Sequence, residues 1–216
     1  MQSWFLLDPE PRPDLAGEDA DLVVPSALCE RLIARCSEPG QLVLDPFAGY
    51  GTTLLAAAKL GRRAVGIERD AARAAYLRGI GAEVVEGDVL EVEIPPFDLL
   101  LTSPPYWDPA GDAFAGYEDS DEGYEAHLAI WRRLLARFGA SLREGGRIIL
   151  LVPNIIIDGR LYPLAWDLGR LMAESLTLER ELIACCTAPP PGAARYGEHL
   201  YCLVATVSSV PLKART

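Results

Sequence analysis

Short apolar runs alternate with stretches of helical period along most of this 216-residue chain. An apolar run bounded by polar turns predicts a buried strand, whereas apolar residues three or four positions apart predict an amphipathic helix. Alternation of the two is typical of an α/β domain with a mostly parallel sheet. We predict strands near Gln41–Phe47, Arg63–Glu68, Ala82–Glu86, Phe97–Thr102 and Arg147–Val152. We predict helices near Ser26–Cys36, Thr52–Lys59, Ala71–Arg78, Tyr124–Leu142 and Leu161–Glu174.

Two further strand-like runs follow the last predicted helix, "LERELIACC" at 178–186 and "HLYCLVATV" at 199–207. The turn-rich "TAPPPGAARYGE" joins them, so we expect an antiparallel hairpin that closes one edge of the sheet. The chain then divides into an acidic N-terminal segment (1–24), a single domain (25–210) and a short tail (211–216). The first two dozen residues and Asp108–Gly123 lack apolar periodicity, so we expect irregular structure there.

Composition narrows the class of protein. Half of the residues are hydrophobic, which is enough for one domain with a full core. No apolar run approaches the roughly 20 residues of a membrane span, and the N-terminus lacks a basic start and a small-residue cleavage site. We therefore expect a cytoplasmic protein with no membrane partner. The five cysteines are odd in number and form no CxxC pair, so we expect core cysteines and no metal site.

The net charge of −11 argues against a free-standing protein that binds duplex nucleic acid through a basic face. Asp8–Asp21 carries a net charge of −5 and Asp108–Glu125 carries −7, whereas the rest of the chain is nearly neutral. The acidity is thus confined to two segments.

The stretch "VLDPFAGYGTT", Val43 to Thr53, predicts a strand that runs into a glycine turn and opens a helix. Gly49 and Gly51 allow backbone conformations that a Cβ would block, and a helix start offers N–H groups to a ligand. Leu54 stands where a dinucleotide-binding fingerprint has its third glycine. The loop therefore binds a different ligand or none.

Three carboxylates follow successive predicted strands: Asp45, Glu68 in "AVGIERD" and Asp88 in "VVEGDVL". Open α/β sheets bind ligands at this edge. There Glu68 can accept hydrogen bonds from a ribose diol and Asp88 can accept one from an adenine amino group. An adenosyl ligand with cationic sulfonium and ammonium groups suits the edge better than a pyrophosphate. In the alternative interpretation, Asp45 and Glu68 only cap the turns that follow them.

A second motif ends the strand in "LLLTSPPYWDP", where Ser103, Pro104, Pro105, Tyr106 and Trp107 follow the apolar run. Together the motifs resemble the S-adenosylmethionine-dependent amino-methyltransferases, in particular the cytosine-N4 and adenine-N6 DNA methyltransferases. "DPFAGYGTT" resembles their cofactor loop, and "TSPPYW" resembles their catalytic tetrapeptide in the serine form typical of cytosine-N4 members. "VVPSALCERLIARC" is similar to the helix before the cofactor loop and "GEHLYCLVA" to the final strand. The resemblance spans roughly Pro25 to Val207.

The resemblance implies a Rossmann-like class I methyltransferase fold, with a mostly parallel seven-stranded sheet and an antiparallel C-terminal hairpin. It also implies S-adenosyl-L-methionine as cofactor. Asp45, Phe47, Gly49 and Gly51 would contact the methionine part, Glu68 the ribose and Asp88 the adenine. The full set of expected cofactor-binding residues is Asp45, Pro46, Phe47, Ala48, Gly49, Gly51, Thr52, Thr53, Glu68 and Asp88.

The chemistry explains the second motif. An exocyclic amine is a poor nucleophile because its lone pair is delocalised into the ring, so methylation requires acceptors that draw the nitrogen toward tetrahedral geometry. The Ser103 oxygen and the Pro104 carbonyl supply them, and Pro105 helps to fix their angles. Tyr106 supplies a stacking face for the base. Trp107 extends that platform or packs beneath the loop. The motif contains no cysteine, which disfavours carbon-5 methylation through a thiolate.

The implied activity is methyl transfer to cytosine N4 or adenine N6 in DNA or RNA, including a single-stranded or flipped base. Two alternatives stay open: transfer to a protein glutamine amide or a small amine, and a non-catalytic subunit with a basic protein partner. DNA methyltransferases of the family add a target-recognition domain, and here nothing longer than Asp108–Gly123 or Ala188–Glu198 is left to serve as one. Arg195 is either a phosphate contact or a solvated surface residue. His199 is expected to be a core or edge residue, and His127 has no evident role.

Overall fold

The computed structural model describes residues 3–8, 24–107, 123–187 and 197–207. The strands in these ranges are β1 (Trp4–Leu7), β2 (Leu42–Asp45), β3 (Arg63–Glu68), β4 (Val84–Glu86), β5 (Phe97–Thr102), β6 (Leu142–Val152), β7 (Ile155–Ile157), β8 (Arg160–Tyr162), β9 (Thr177–Cys186) and β10 (His199–Thr206). The helices are α1 (Ser26–Cys36), α2 (Thr52–Lys59), α3 (Ala71–Gly79), α4 (Gly123–Ser141) and α5 (Leu164–Ser175).

Eight strands form one sheet in the order β1-β9-β10-β6-β5-β2-β3-β4. β10 pairs antiparallel with β9 and β6, and the other neighbouring strands are parallel. The predicted fold class, with its antiparallel C-terminal hairpin, is confirmed. The bounds of α1, α2, β3 and β5 agree residue for residue with the sequence prediction.

The N-terminal residues depart from the prediction. Trp4–Leu7 was expected to be irregular, but it forms β1 and pairs in parallel with β9. Phe5 and Leu7 are buried because alternate side chains of the strand face the core, whereas Trp4 and Leu6 are more than half exposed. Within the described residues, the main sheet therefore has eight strands and not seven, and β1 forms its edge in place of the C-terminal hairpin. The rest of the predicted acidic segment, 9–23, lies outside the described residues.

A small hairpin, β7–β8, replaces the predicted start of the last helix. Its turn is Asp158-Gly159, and both residues have positive φ, 50° and 76°. Asp-Gly between apolar residues is a strong signal for a tight hairpin turn, which the sequence prediction overlooked. Helix α5 therefore begins at Leu164, after Pro163.

Helices cover both faces of the sheet. α4 and α5 pack on one face around the fully buried Trp131 and Phe138. α1 packs on the other face because its apolar residues recur on one side of the helix, and that cluster includes the buried Cys29 and Cys202. The remaining cysteines are only partly buried. No helix within the described part of the chain has the length and apolar character needed to cross a membrane.

Candidate active site

The strand order brings the two sequence motifs to one edge of the sheet. β5, β2, β3 and β4 are adjacent and parallel, so the residues at their carboxyl ends lie side by side. Asp45 and Glu68 end β2 and β3, Asp88 follows β4, and Ser103 follows β5. The structure therefore brings together the three predicted carboxylates and the first residue of the Ser-Pro-Pro-Tyr motif.

Asp45 is buried, with 4% of its surface exposed, and connects these two motifs. Its Oδ1 accepts hydrogen bonds from the N–H of Phe47, at 3.1 Å, and from the hydroxyl of Thr102, at 2.7 Å. Burial raises the pKa of Asp45 to about 6, although hydrogen bonds from Thr102, Thr53 and Phe47 oppose the rise. The negative charge of Glu68 adds to it. Asp45 therefore changes charge close to neutral pH.

Both carboxylate oxygens of the buried Glu68 accept backbone hydrogen bonds. Oε2 accepts from the N–H of Gly49 at 2.8 Å, and Oε1 accepts from the N–H of Asp70 at 2.9 Å. The capping interpretation therefore describes part of what Glu68 does. A carboxylate has about four lone-pair sites, so each oxygen keeps a further site for a ligand hydroxyl.

The backbone N–H groups of the glycine loop are largely used within the protein. Four of them donate to protein acceptors and are therefore already used. What the loop mainly offers to a ligand is its fixed shape and its carbonyl oxygens. Pro46, which has no N–H, is buried within the same turn. The four hydrogen bonds run from Phe47 to the Asp45 side chain, from Ala48 to the Ile67 carbonyl, from Gly49 to the Glu68 side chain and from Gly51 to the Ala48 carbonyl.

Glycine is required at the start of α2. Gly51 has a left-handed φ of 82°, and a Cβ there would lie 2.6 Å from Cδ2 of Leu77. The helix then begins with Thr52, which is partly buried, and Thr53, which is 4% exposed. The hydroxyl of Thr53 lies 3.9 Å from the sulfur of Cys29, which ties α2 to α1.

Asp88 lies two residues beyond β4 and is partly buried. Its Oδ1 accepts from the N–H of Leu90 at 2.8 Å, which caps the turn that leaves the edge. Gly87, just before it, has φ 154°, and a Cβ at this position would lie 2.5 Å from Val92. Asp88 is thus held at the same edge as Glu68, as the sequence predicts.

The side chains of Ser103 and Tyr106 contact each other. Their hydroxyl oxygens are 2.8 Å apart, and the Tyr106 hydroxyl donates to the carbonyl of Leu151 at 3.5 Å. Both side chains are partly buried, Pro104 is buried and Pro105 is partly buried. Sequence reasoning missed this pair, because the spacing of two residues that follow a strand does not fix their side-chain directions.

Trp107 is only 9% exposed and packs within an aromatic cluster with Tyr124 and Tyr162. The centroid of its ring lies 5.2 Å from that of Tyr124 and 4.5 Å from that of Tyr162. The Tyr124 hydroxyl donates to Asp167 at 2.8 Å, and burial raises the pKa of Tyr124. The position of Trp107 matches the packing alternative and not an exposed stacking platform. Arg195 lies outside the described residues.

Two residues without a predicted role, Trp131 and His127, support the glycine loop. The ring of Phe47 lies 5.8 Å from that of Trp131, which is fully buried in α4. The indole N–H of Trp131 donates to Nε2 of His127 at 3.1 Å. Burial lowers the pKa of His127 to about 4, so the ring is neutral and can accept this bond at pH 7. The other histidine, His199, lies at the start of β10 with its ring 4.9 Å from that of Tyr201.

Sequence comparisons relate this chain to known DNA methyltransferases. Residues 14–77 match a family of N6/N4 methyltransferases described as DNA methylase. A stretch of 44 residues is 57% identical to the type II methyltransferase M.ScaI of Streptomyces caespitosus, and it covers 20% of this chain and 14% of that protein. A stretch of 79 residues is 38% identical to M.HinfI of Haemophilus influenzae, covering 37% and 20%. The matched stretches thus span a fifth or less of these relatives.

Solved structures share the fold over most of the chain. TrmN from Thermus thermophilus has a TM-score of 0.61 at 19% identity, over 86% of this chain and 49% of that one. The glycopeptide N-methyltransferase MtfA, solved with S-adenosylmethionine, has a TM-score of 0.57 at 13% identity, over 85% and 94%. The predicted cofactor is thus the ligand of a structural neighbour. This chain is similar to the N4/N6 DNA methyltransferases and has the class I S-adenosylmethionine-dependent methyltransferase fold.

Proposed function

We propose that this chain is an S-adenosylmethionine-dependent N-methyltransferase that acts on the exocyclic amino group of a nucleobase, cytosine N4 or adenine N6, in DNA or RNA. One observation carries the proposal: the 2.7 Å hydrogen bond from Thr102 to Asp45. It joins the last residue of β5, just before Ser103, to the residue that opens the glycine loop. The bond thus holds the two motifs side by side. A methyltransferase needs its donor and acceptor sites to be adjacent, because the reacting atoms must approach closely and in line.

The donor set fits S-adenosylmethionine. The buried carboxylate of Asp45 suits the cationic end of the molecule, Glu68 suits the ribose diol and Asp88 suits the adenine amino group. Phe47 and the residues around it, Pro46, Ala48, Gly49, Gly51, Thr52 and Thr53, would line the methionine part. When bound, the cofactor supplies an activated methyl group on sulfonium sulfur.

Ser103, Pro104 and Tyr106 would hold the acceptor. The Ser103 oxygen and the Pro104 carbonyl would accept hydrogen bonds from the two N–H groups of the exocyclic amine. The nitrogen then becomes pyramidal, so its lone pair is withdrawn from conjugation with the ring and faces the methyl group. Tyr106 stacks on the base. The new C–N bond would use that lone pair while the methyl–sulfur bond breaks and its electron pair returns to sulfur, which leaves as a neutral thioether. The extra proton on nitrogen would then pass to solvent, so no carboxylate base is required. Trp107 would support the motif from below.

The net charge of −11 favours a second candidate, in which the same chemistry methylates a protein glutamine amide or a small amine. An amide nitrogen is as poorly nucleophilic as a nucleobase amine. A third candidate is a non-catalytic subunit that works with a basic partner. The matches to DNA methylases support the nucleobase.

Incubation with tritiated S-adenosylmethionine and separate DNA, RNA and protein fractions tests the proposal. We expect label in DNA or RNA with the wild-type chain and about a hundredfold slower labelling, or less, with Ser103→Ala. Ser175→Ala, on an exposed residue at the end of α5, serves as the matched control and should label normally. Label only in protein would replace the nucleobase with the second candidate. Failure to bind S-adenosylmethionine would leave the non-catalytic subunit.

A further inference from the structure

The contacts of the Tyr106 hydroxyl favour one direction for its hydrogen bond with Ser103. The two hydroxyl oxygens are 2.8 Å apart, and the Tyr106 oxygen is 3.5 Å from the carbonyl oxygen of Leu151. A backbone carbonyl accepts hydrogen bonds and cannot donate them. Both contacts are hydrogen bonds at the same time only if Tyr106 gives its hydrogen to Leu151 and Ser103 gives its hydrogen to Tyr106.

We propose that the Tyr106 hydroxyl is a positioning group that turns the hydrogen of Ser103 away from the methyl acceptor. A serine hydroxyl has one hydrogen and two lone pairs, and its hydrogen rotates freely unless an acceptor fixes it. With that hydrogen bound to Tyr106, Oγ of Ser103 presents lone pairs alone to the amine. The inference rests on the proposed function, and it gives Tyr106 a role beyond the stacking face of its ring.

The fold holds the three groups in place. Ser103 directly follows β5, and Leu151 lies in β6, the parallel neighbour of β5, with Thr102 paired to Leu150. Leu151 is fully buried, so its carbonyl cannot drift away from Tyr106. The two prolines between the hydroxyl-bearing residues restrict the backbone that joins them. The direction of the Ser103 hydrogen is therefore set before any acceptor binds.

Tyr106→Phe tests this, because it keeps the ring and removes only the hydroxyl. We expect kcat to fall about tenfold, with KM for the nucleic acid and Kd for S-adenosylmethionine changed less than about twofold. Tyr76→Phe removes a hydroxyl from an exposed tyrosine in α3 and should leave kcat unchanged. Urea unfolding of each variant checks that the fold is retained.

A double-mutant cycle separates the positioning role from a direct one. Single-turnover rates with excess enzyme are measured for the wild type, Tyr106→Phe, Ser103→Ala and the double variant. If Tyr106 acts through Ser103, its loss costs nothing further once Ser103 is alanine. The inference is wrong if Tyr106→Phe lowers the rate equally in the wild type and in Ser103→Ala, or if it leaves kcat unchanged. Either result leaves the proposed function intact. A wild-type chain that labels neither DNA nor RNA overturns the proposed function and this inference with it.

Discussion

The hydroxyl of Thr102 donates a 2.7 Å hydrogen bond to Oδ1 of Asp45, and both side chains are buried. Thr102 ends β5 and Asp45 ends β2, so the bond crosses between the strand that leads to Ser103 and the strand that leads to the glycine loop. A shift of either loop would break a hydrogen bond inside the protein, where an unpaired polar group costs about 1–3 kcal/mol. The Ser-Pro-Pro-Tyr motif and the glycine loop are therefore held in a fixed position relative to each other.

Affinity for S-adenosylmethionine should depend on pH through Asp45. Its pKa in the free protein is raised to about 6, so the residue is largely neutral below that pH and anionic above it. A cationic ligand binds the anion better, so affinity should fall by about tenfold per pH unit below 6 and level off above it. Calorimetry between pH 5 and 8, in buffers of different ionisation heat, measures both affinity and the protons released.

Two variants check the assignment to Asp45. Thr102→Val removes a hydrogen bond that lowers the pKa of Asp45, so the midpoint should move to higher pH. Asp45→Asn cannot titrate and should bind S-adenosylmethionine weakly with a flat profile. A pH dependence that persists in Asp45→Asn would assign the titration to another group.

Glu68 and Asp88 should each contribute to cofactor binding, and Glu68 should matter more. Loss of a hydrogen-bonded ligand group costs about 1–3 kcal/mol, which we expect for Asp88→Ala. Glu68→Ala also frees the N–H groups of Gly49 and Asp70, so it should lower the free energy of unfolding as well as the affinity. Calorimetry and urea unfolding measure the two effects. Unchanged affinity in both variants would refute the cofactor assignment.

Substitution of a residue that holds the methyl acceptor should lower the turnover rate, whereas substitution of a cofactor-binding residue should lower the affinity for S-adenosylmethionine. Ser103→Ala and Tyr106→Ala should reduce turnover by about a hundredfold or more, because they remove contacts made to the amine and the base as the transition state forms. Both should bind S-adenosylmethionine nearly as the wild type does. Loss of cofactor binding with a normal rate at saturation would reverse these roles.

Alanine substitutions at Gly51 and Gly61 form a matched pair that tests why glycine is needed at the start of α2. Both have positive φ, 82° and 74°, so alanine at either position costs roughly 1 kcal/mol in backbone strain. Only at Gly51 would the new Cβ meet a side chain, Cδ2 of Leu77 at 2.6 Å. Gly51→Ala should therefore lose about 1–3 kcal/mol more than Gly61→Ala in urea unfolding. Equal losses would mean that Leu77 moves aside freely.

How far the sequence predicts this molecule depends on the range of the interaction concerned. β5 and α1 have the predicted bounds because local apolar periodicity fixes them. β1 is too short and too close to acidic residues to be recognised before its partner β9 is known. The Asp158-Gly159 turn carries a local signal, but the predicted helix takes in Leu161 and Tyr162 after it, and no element is predicted for Ile155–Ile157 before it.

The same distinction between local and longer-range interactions applies to the candidate site. Asp45, Glu68 and Ser103 could be located because each ends or follows a predicted strand, and parallel strands share an edge. The bonds from Thr102 to Asp45 and between Ser103 and Tyr106 depend on side-chain directions that no spacing reveals. His127 could not be assigned because its link to the glycine loop runs through two side-chain contacts, from His127 to Trp131 and from Trp131 to Phe47.

The acidic run Asp108–Glu125, which follows the Ser-Pro-Pro-Tyr motif, should weaken binding of duplex DNA. Seven carboxylates repel a phosphate backbone over a Debye length of about 8 Å at physiological salt, and this repulsion opposes the extrusion of a base. The unmodified chain should therefore methylate plain duplex DNA weakly. With a nucleobase as its substrate, as proposed, it should prefer a base that is already unpaired.

Neutralising four of these acids tests the effect of their charge. The quadruple variant, in which Asp112 and Asp119 become Asn and Glu118 and Glu122 become Gln, should bind duplex DNA more tightly, with a steeper dependence on salt. A control variant makes the same change in net charge at the opposite edge of the sheet. It replaces four exposed glutamates that precede or begin strands, Glu38, Glu83, Glu93 and Glu144, with Gln. Because charges more than a Debye length away are screened, the control should bind duplex DNA much as the wild type does. Equal gains in both variants would attribute the effect to total charge, and tight sequence-specific methylation by the wild type would contradict the prediction.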